Sequence, residues 1–363
     1  MSQHPDVLIL GGGVIGLTVA YYLAREKVRV EVVDKSDFGQ EASWAGAGIL
    51  PPGNPTLART PFDRLRAISS DAFPALSQEL RERTGIDNGY LRCGGLELLA
   101  GHDDRDDQEW RGDGIRCEEL SGPDLRRLEP NLAPRFVRAF LLPDTAQLRN
   151  PRHVKALVSG CDSWGARLRP ECAVVGFERN GDRVSAVTTA AGRLTAGHYL
   201  IAAGAWSDAL LGQVGWRPGI RPIRGQIALL NTGVPLCRRV LMLGKRYLVP
   251  RPDGRVLVGA TEEDAGFDKR TTAVAIRDLL DFAIDLVPAL ADAPLERSWA
   301  GLRPGSPDGL PFLGSVPGVE NLSVAAGHFR AGIQLSLGTG IVMKELILGQ
   351  PTTIPLESFR LDR

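Results

Sequence analysis

The sequence predicts a mixed α/β fold, with a parallel βαβ unit joined to a second, mainly antiparallel sheet. Three observations carry this: a glycine-punctuated apolar run near the N-terminus, a Val-rich run ending in an acid just after it, and a succession of short alternating segments farther on. At 363 residues, with about 150 residues to a typical domain, the chain has room for two or three domains. Its 43% hydrophobic and 24% charged residues are globular values, which argues against a disordered, collagen-like or coiled-coil chain.

Residues 7–24 carry no charge, a length that could span a membrane. Gly11, Gly12, Gly13 and Gly16 argue otherwise, dividing the run into a strand over 7–10, a turn, and an apolar helix from near Val14. A second strand over 28–33 ends at Asp34. Gly11-x-Gly13-x-x-Gly16 with that strand and acid is a Rossmann-like dinucleotide fingerprint: one glycine permits the tight turn, one admits a pyrophosphate, and one lets helix and strand close up. The phosphates then meet the positive end of the helix. Asp34, 18 residues beyond Gly16, is placed for an adenosine ribose. An acid there disfavours NADP, but the fingerprint alone does not separate FAD from NAD.

Helical patterns follow over 62–84, where Pro74 is expected to break or kink the helix, over 123–128 and over 151–164. Strands are expected over 95–100, 166–169, 172–179, 183–189 and 198–202, with Asn180-Gly181-Asp182 marking a hairpin. Further strands over 226–230, 247–250, 256–259 and 295–300 suggest the second sheet, and a helix is expected over 333–348. The acidic stretch 103–107 reads as a solvated loop. No clean domain boundary is visible, because dinucleotide-like features recur at 201–207 and 323–333.

Lys plus Arg (43) balance Asp plus Glu (43), so no net field favours nucleic acid. Cys93, Cys117, Cys161, Cys172 and Cys237 lack a CxxC pair, and the histidines are scattered; neither a disulfide framework nor a metal site is expected. The leader 1–6 has no Lys or Arg, so no signal peptide is expected, and a reducing cytoplasm fits best.

The ordered segments DVLILGGGVIGLTVAYYL with Asp34, SWAGAGIL (43–50), IAAGAWS (201–207), RYLVPR (246–251), WAGLRPGSPDGLPFLG (299–314) and AAGHFRAGI (325–333) resemble the FAD-dependent amine oxidases of the D-amino acid oxidase family over almost the whole chain. The resemblance implies a discontinuous FAD-binding domain (1–87, 146–217, 298–363) and a substrate-binding domain (88–145, 218–297). It implies oxidation of glycine, or of another small amine or D-amino acid, by hydride transfer from the α carbon to flavin, with O2 reduced to H2O2. The imine would serve thiazole formation in thiamine biosynthesis, which makes a thiazole synthase an expected partner. A homo-oligomer is expected on the same ground. No cysteine follows Cys237, so FAD is expected to be held non-covalently.

On the same resemblance, Arg303 matches a carboxylate-binding arginine, and a planar guanidinium suits a carboxylate through two parallel hydrogen bonds. Tyr247 matches a tyrosine contacting that carboxylate, and Arg330 a cation near flavin and substrate. The cofactor is expected to contact Gly11, Gly13, Val14, Ile15, Gly16, Asp34, Lys35, Ser43, Ala47, Gly48, Ile49, Val174, Gly204, Trp206, Arg330, Gly332, Ile333 and Gln334. No general base is expected: position and electrostatics suffice once the amine is neutral. Ile49 and Glu262 stand where the family has substrate-side methionines, Lys245 stands for a histidine, and residues 51–55 are proline-rich at the entrance. The rival readings are a D-amino acid dehydrogenase passing electrons to a membrane quinone, a non-catalytic FAD-binding protein, and a dedicated NAD dehydrogenase.

Overall fold

The computed structural model describes residues 4–99 and 106–363. Its first sheet has six strands in the order Phe312–Ser315, Leu322–Ala326, His198–Ile201, Val7–Leu10, Val30–Val33 and Arg167–Arg169. All neighbours are parallel except the first pair, which is antiparallel. Alternation decides what each face covers. Val7, Ile9, Val30 and Val32 pack with the helices Val14–Arg25, Pro61–Thr84, Asn150–Ser163 and Gly332–Ile347, whereas Leu8, Leu10, Val33 and Tyr199 face the Val174–Asn180 and Arg183–Thr189 hairpin. Two helices come unusually close: a Cβ at Gly340 would lie 2.7 Å from Thr18 Cγ2.

The second sheet has eight strands: Leu295–Gly305, Arg221–Asn231, Arg255–Gly259, Arg246–Pro250, Val240–Leu243, Gly95–Leu98, Arg138–Leu142 and Glu118–Ser121. Only the Val240–Leu243 and Gly95–Leu98 pair is parallel. One face is covered by the helix Ala273–Leu286 through Leu279, Ala283 and Leu286. The other carries Ile227, Tyr247, Val249, Leu257 and Trp299, which cluster with Ala47 and Ile49. A small sheet of Ile49–Leu50, Ala146–Gln147 and Leu91–Arg92 joins the two.

Pro74 neither breaks nor ends its helix, which runs unbroken for 24 residues, Pro61–Thr84. Leu65, Phe73, Leu76 and Leu80 bury one face of it, and the Thr60 hydroxyl caps its start by accepting from Asp63 N at 3.1 Å. Tertiary burial outweighs the lost backbone donor. The hairpin forms around Gly181-Asp182 with Asn180 opposite Arg183. Strands Arg221–Asn231 and Leu295–Gly305 are longer than expected because they pair with each other along nearly their whole length. The helix Ala273–Leu286 and the strands Val240–Leu243 and Arg138–Leu142 add to the expected set. Most of the 103–107 expectation, and Ala100, lie outside the described residues. Among the described residues no helix is long and apolar enough to cross a membrane, and all five cysteines are free thiols.

Candidate active site

Gly11 sits at φ +121°, where side chains are strained, and a Cβ there would come within 2.3 Å of the Ala202 carbonyl. At Gly16 a Cβ would lie 2.0 Å from the Gly11 carbonyl, so its bareness seats the helix on the turn. The helix Val14–Arg25 begins at Gly13 without a side-chain cap. Val14 N donates to Ser43 Oγ at 2.9 Å, while the first-turn N–H groups of Ile15 and Gly16 have no acceptor four residues back within the helix. Asp34 Oδ2 accepts from Gly12 N at 2.7 Å and Oδ1 from Ser36 N at 3.0 Å. Gly11, Gly13, Val14, Ile15, Asp34, Lys35 and Ser43 line one long cleft. Bare backbone beside a positive helix end suits a pyrophosphate.

Val174, Gly204 and Trp206 line the cleft farther along, with Lys35 Nζ 3.2 Å from the centre of the Trp206 ring. Ala47, Gly48 and Ile49 lie behind the lining and are braced from below. Arg251, only 6% exposed, donates through Nη2 to the Ala47 carbonyl at 2.8 Å and through Nη1 to the Leu148 carbonyl at 3.0 Å and Gln147 Oε1 at 2.5 Å. Burial pulls its guanidinium down to about 10, so it remains a cation at neutral pH. Two polar atoms nearby are buried without a partner: Gln334 Nε2, in the first turn of Gly332–Ile347, and Asn150 Oδ1, beside Gly48.

Arg303, Arg330, Gly332 and Ile333 line the same cleft. Arg303 Nη1 donates to the Thr261 carbonyl at 2.9 Å, and the Tyr247 hydroxyl is a further partner of the guanidinium. Among the described residues no carboxylate is hydrogen-bonded to Arg303. Burial lowers the Arg303 guanidinium from its ordinary value and raises the Tyr247 phenol, so at neutral pH the pair is a cation and a protonated hydroxyl. Two glycines make the room: a Cβ at Gly225 would lie 2.3 Å from Arg303 Nη2, and one at Gly259 would lie 2.7 Å from the Tyr247 hydroxyl. Arg330 donates through Nη2 to the Lys245 carbonyl at 2.7 Å and through Nη1 to Glu262 Oε2 at 3.4 Å. His328 also lines the cleft, but its Nε2 meets Thr339 Oγ1 at 3.0 Å and burial lowers it to about 3, which disqualifies it as a base near neutrality.

Of the expected site residues, Gly16, Ala47, Gly48, Ile49, Tyr247, Glu262 and Gln334 do not line the cleft itself. Gly16, Ala47 and Gly48 act through backbone packing; Ile49 and Tyr247 pack on the apolar cluster of Ile227, Val249 and Leu257 beside it. Sequence reasoning missed Arg251, Gln147, Thr261, Gly225 and Gly259. Gly225 preceded the strand expected over 226–230 and Gly259 closed the one over 256–259, so the close-approach signal of a glycine inside a strand was missing.

A dinucleotide cradle on a parallel sheet, opening onto an unpaired arginine held by an antiparallel sheet, defines a nucleotide-cofactor oxidoreductase. A family profile described as FAD dependent oxidoreductase matches residues 6–346, and the chain belongs to that family. FAD is therefore its cofactor, and the NAD reading falls. The chain is similar to the glycine oxidase of Pseudomonas putida, 37% identical over 95% of this chain and 94% of that protein. It is similar to the crystal structure of glycine oxidase from Geobacillus kaustophilus, with a TM-score of 0.94 and 34% identity, covering 100% of this chain and 99% of that one. It also resembles the bifunctional protein ThiO/ThiG of Synechocystis, 35% identical over 100% of this chain but only 54% of that longer protein.

Proposed function

We propose that the protein catalyses FAD-dependent oxidative deamination of glycine, with other small amines or D-amino acids as secondary substrates. The observation that carries this is Arg303: a largely enclosed guanidinium on the cofactor cleft with no carboxylate of its own. Bound non-covalently, FAD supplies a two-electron acceptor that O2 regenerates, releasing H2O2.

Everything else falls to side chains and backbone. Arg303 and Tyr247 hold the substrate carboxylate, which fixes the α carbon toward the cleft. Arg330 and the positive end of the Gly332–Ile347 helix favour negative charge developing there. Arg251 and Gln147 brace the Ala47–Ile49 backbone beside the cleft, and Gly11, Gly13, Asp34 and Lys35 would hold the nucleotide half. The substrate must enter with a neutral amine, and the product is an imine that hydrolyses or is passed on. Of the division expected from the sequence, we keep 1–87 and 146–217 for cofactor binding and 88–145 for substrate binding, and move the last boundary from 298 to 306, because the strand Leu295–Gly305 that carries Arg303 belongs to the second sheet. A thiazole synthase is the proposed consumer of the imine, in a cytoplasmic homo-oligomer; similarity to part of a bifunctional ThiO/ThiG polypeptide supports a coupled partner.

The test is Arg303→Ala, assayed for peroxide release and anaerobic flavin bleaching with glycine. The variant should keep its FAD yet lose turnover and affinity together by about 100-fold or more. Wild-type kinetics in that variant would refute the assignment. Bleaching of the wild-type protein without peroxide would favour a dehydrogenase with another acceptor, and no bleaching by any small amine would favour a non-catalytic flavoprotein.

A further inference from the structure

Three consecutive residues after the Arg255–Gly259 strand act in three directions. Thr261 offers its carbonyl to Arg303 at 2.9 Å. Glu263 is locked to Arg224 by two backbone hydrogen bonds, 3.0 Å from Glu263 N to Arg224 O and 2.8 Å in return, and its carboxylate also takes Arg224 and Gln226. Glu262, between them, is held in place by both neighbours. Its Oε1 meets Lys245 Nζ at 3.1 Å and its Oε2 meets Arg330 Nη1 at 3.4 Å. Arg330 lines the cleft with Arg303, and Glu262 and Arg330 are both close enough to Arg303 to act on its proton affinity, in opposite directions.

Without Glu262 this region would hold three cations, Arg303, Arg330 and Lys245, a field suited to a dianion. With it, the two arginines that line the cleft face one carboxylate, Arg330 is paired and Arg303 is not, while the third cation, Lys245, stands largely in solvent. We propose that Glu262 sets the charge of the substrate: it occupies the place on Arg330 and Lys245 that a second carboxylate would take, so the site accepts monocarboxylic amines and rejects amino dicarboxylates. This deepens, and rests on, the reading of Arg303 as the carboxylate anchor. The physical basis is discrimination by repulsion, in which a fixed like charge acts against the wrong ligand more than it favours the right one. Lys245 is largely exposed and its contact is screened by solvent, so the Arg330 side carries most of the effect.

Glu262→Gln keeps the shape and removes the charge. FAD-loaded wild-type and variant proteins are titrated by calorimetry at pH 8 with acetate, a monoanion, and malonate, a dianion, neither of which can be oxidised. The malonate dissociation constant should fall about tenfold or more in the variant while that of acetate changes less than about threefold. The preference for D-aspartate over glycine in kcat/KM should rise in parallel, and the malonate gain should shrink as salt is raised. Glu262→Asp, with the carboxylate drawn back by one methylene, should move in the same direction by less. Unchanged malonate affinity in Glu262→Gln, with acetate still bound, overturns the proposal and leaves the Arg303 reading intact. Acetate that ignores wild-type protein, or binds Arg303→Ala equally well, overturns both.

Discussion

Arg303 rests against the bare Cα of Gly225, with Nη2 2.3 Å and Cζ 2.4 Å from where a Cβ would stand. The two residues lie on paired strands, Gly225 opposite Gly301 and Arg303 opposite Ile223, so they are diagonal neighbours across the ladder. A residue with no side chain thus fixes where the anchoring cation can lie. Gly225→Ala must push the guanidinium aside, and a displacement of about 1 Å at a positioning group lowers turnover by roughly 100-fold. Steady-state kinetics with glycine should show that loss in kcat/KM while flavin absorbance shows FAD retained. A fully active alanine variant would mean that Arg303 works from elsewhere.

Replacing Arg251 tests the brace beside the cleft. Arg251→Met leaves the Ala47 and Leu148 carbonyls and Gln147 Oε1 without their donor in a buried setting. Loss of such charged hydrogen bonds costs about 3 kcal/mol. Urea unfolding should register a drop of that order, and the purified variant should carry less FAD than wild type. Unchanged stability with full FAD occupancy would show that the Ala47–Ile49 backbone holds its position unaided.

Buried imidazoles predict how the fold responds to acid. Burial lowers His328 to about 3 and His153 to about 4, and His198 to about 4 with help from Arg183. In the unfolded chain each titrates near 6.5. Below that pH the unfolded state binds protons that the folded state refuses, so stability present above about pH 6.5 is lost as the pH falls toward the folded values. Each histidine contributes a slope of about 1.4 kcal/mol per pH unit in that window. Urea midpoints at pH 7 and pH 5 should differ in wild type, and His153→Asn should flatten the dependence. Equal slopes in the two proteins would place the His153 titration near its ordinary value in the fold.

The cofactor cradle was legible because its constraints are local. The turn at Gly11, the helix start after Gly13 and the acid at Asp34 lie within one short stretch, and each residue type answers one geometric demand. Arg303 and Tyr247 were legible as types within motifs, and the Val174–Asn180 hairpin through its turn residues. Gly225 and Gly259 were not, because their importance comes from strand register, Gly259 facing Tyr247 directly and Gly225 lying diagonal to Arg303, and Thr261 was not, because it acts through a backbone carbonyl that any residue carries. Arg251 was inside a recognised segment, yet its task depends on Ala47 and Leu148, carbonyls far away in the chain. The break allowed for at Pro74 did not occur, because local backbone chemistry gave way to a buried face built by Leu65, Phe73, Leu76 and Leu80.

The strand Val7–Leu10 pairs on one side with the nearby Val30–Val33 and on the other with the distant His198–Ile201, which in turn pairs with Leu322–Ala326. The cleft at Gly11 is completed by Arg330, Gly332 and Ile333, far along the sequence from it. Synthesis at about 5–20 residues per second separates the two segments by tens of seconds. Flavin capture accordingly waits until synthesis has passed Ile333, and a polypeptide cut before Gly332 would leave the cleft unfinished however well its middle had folded.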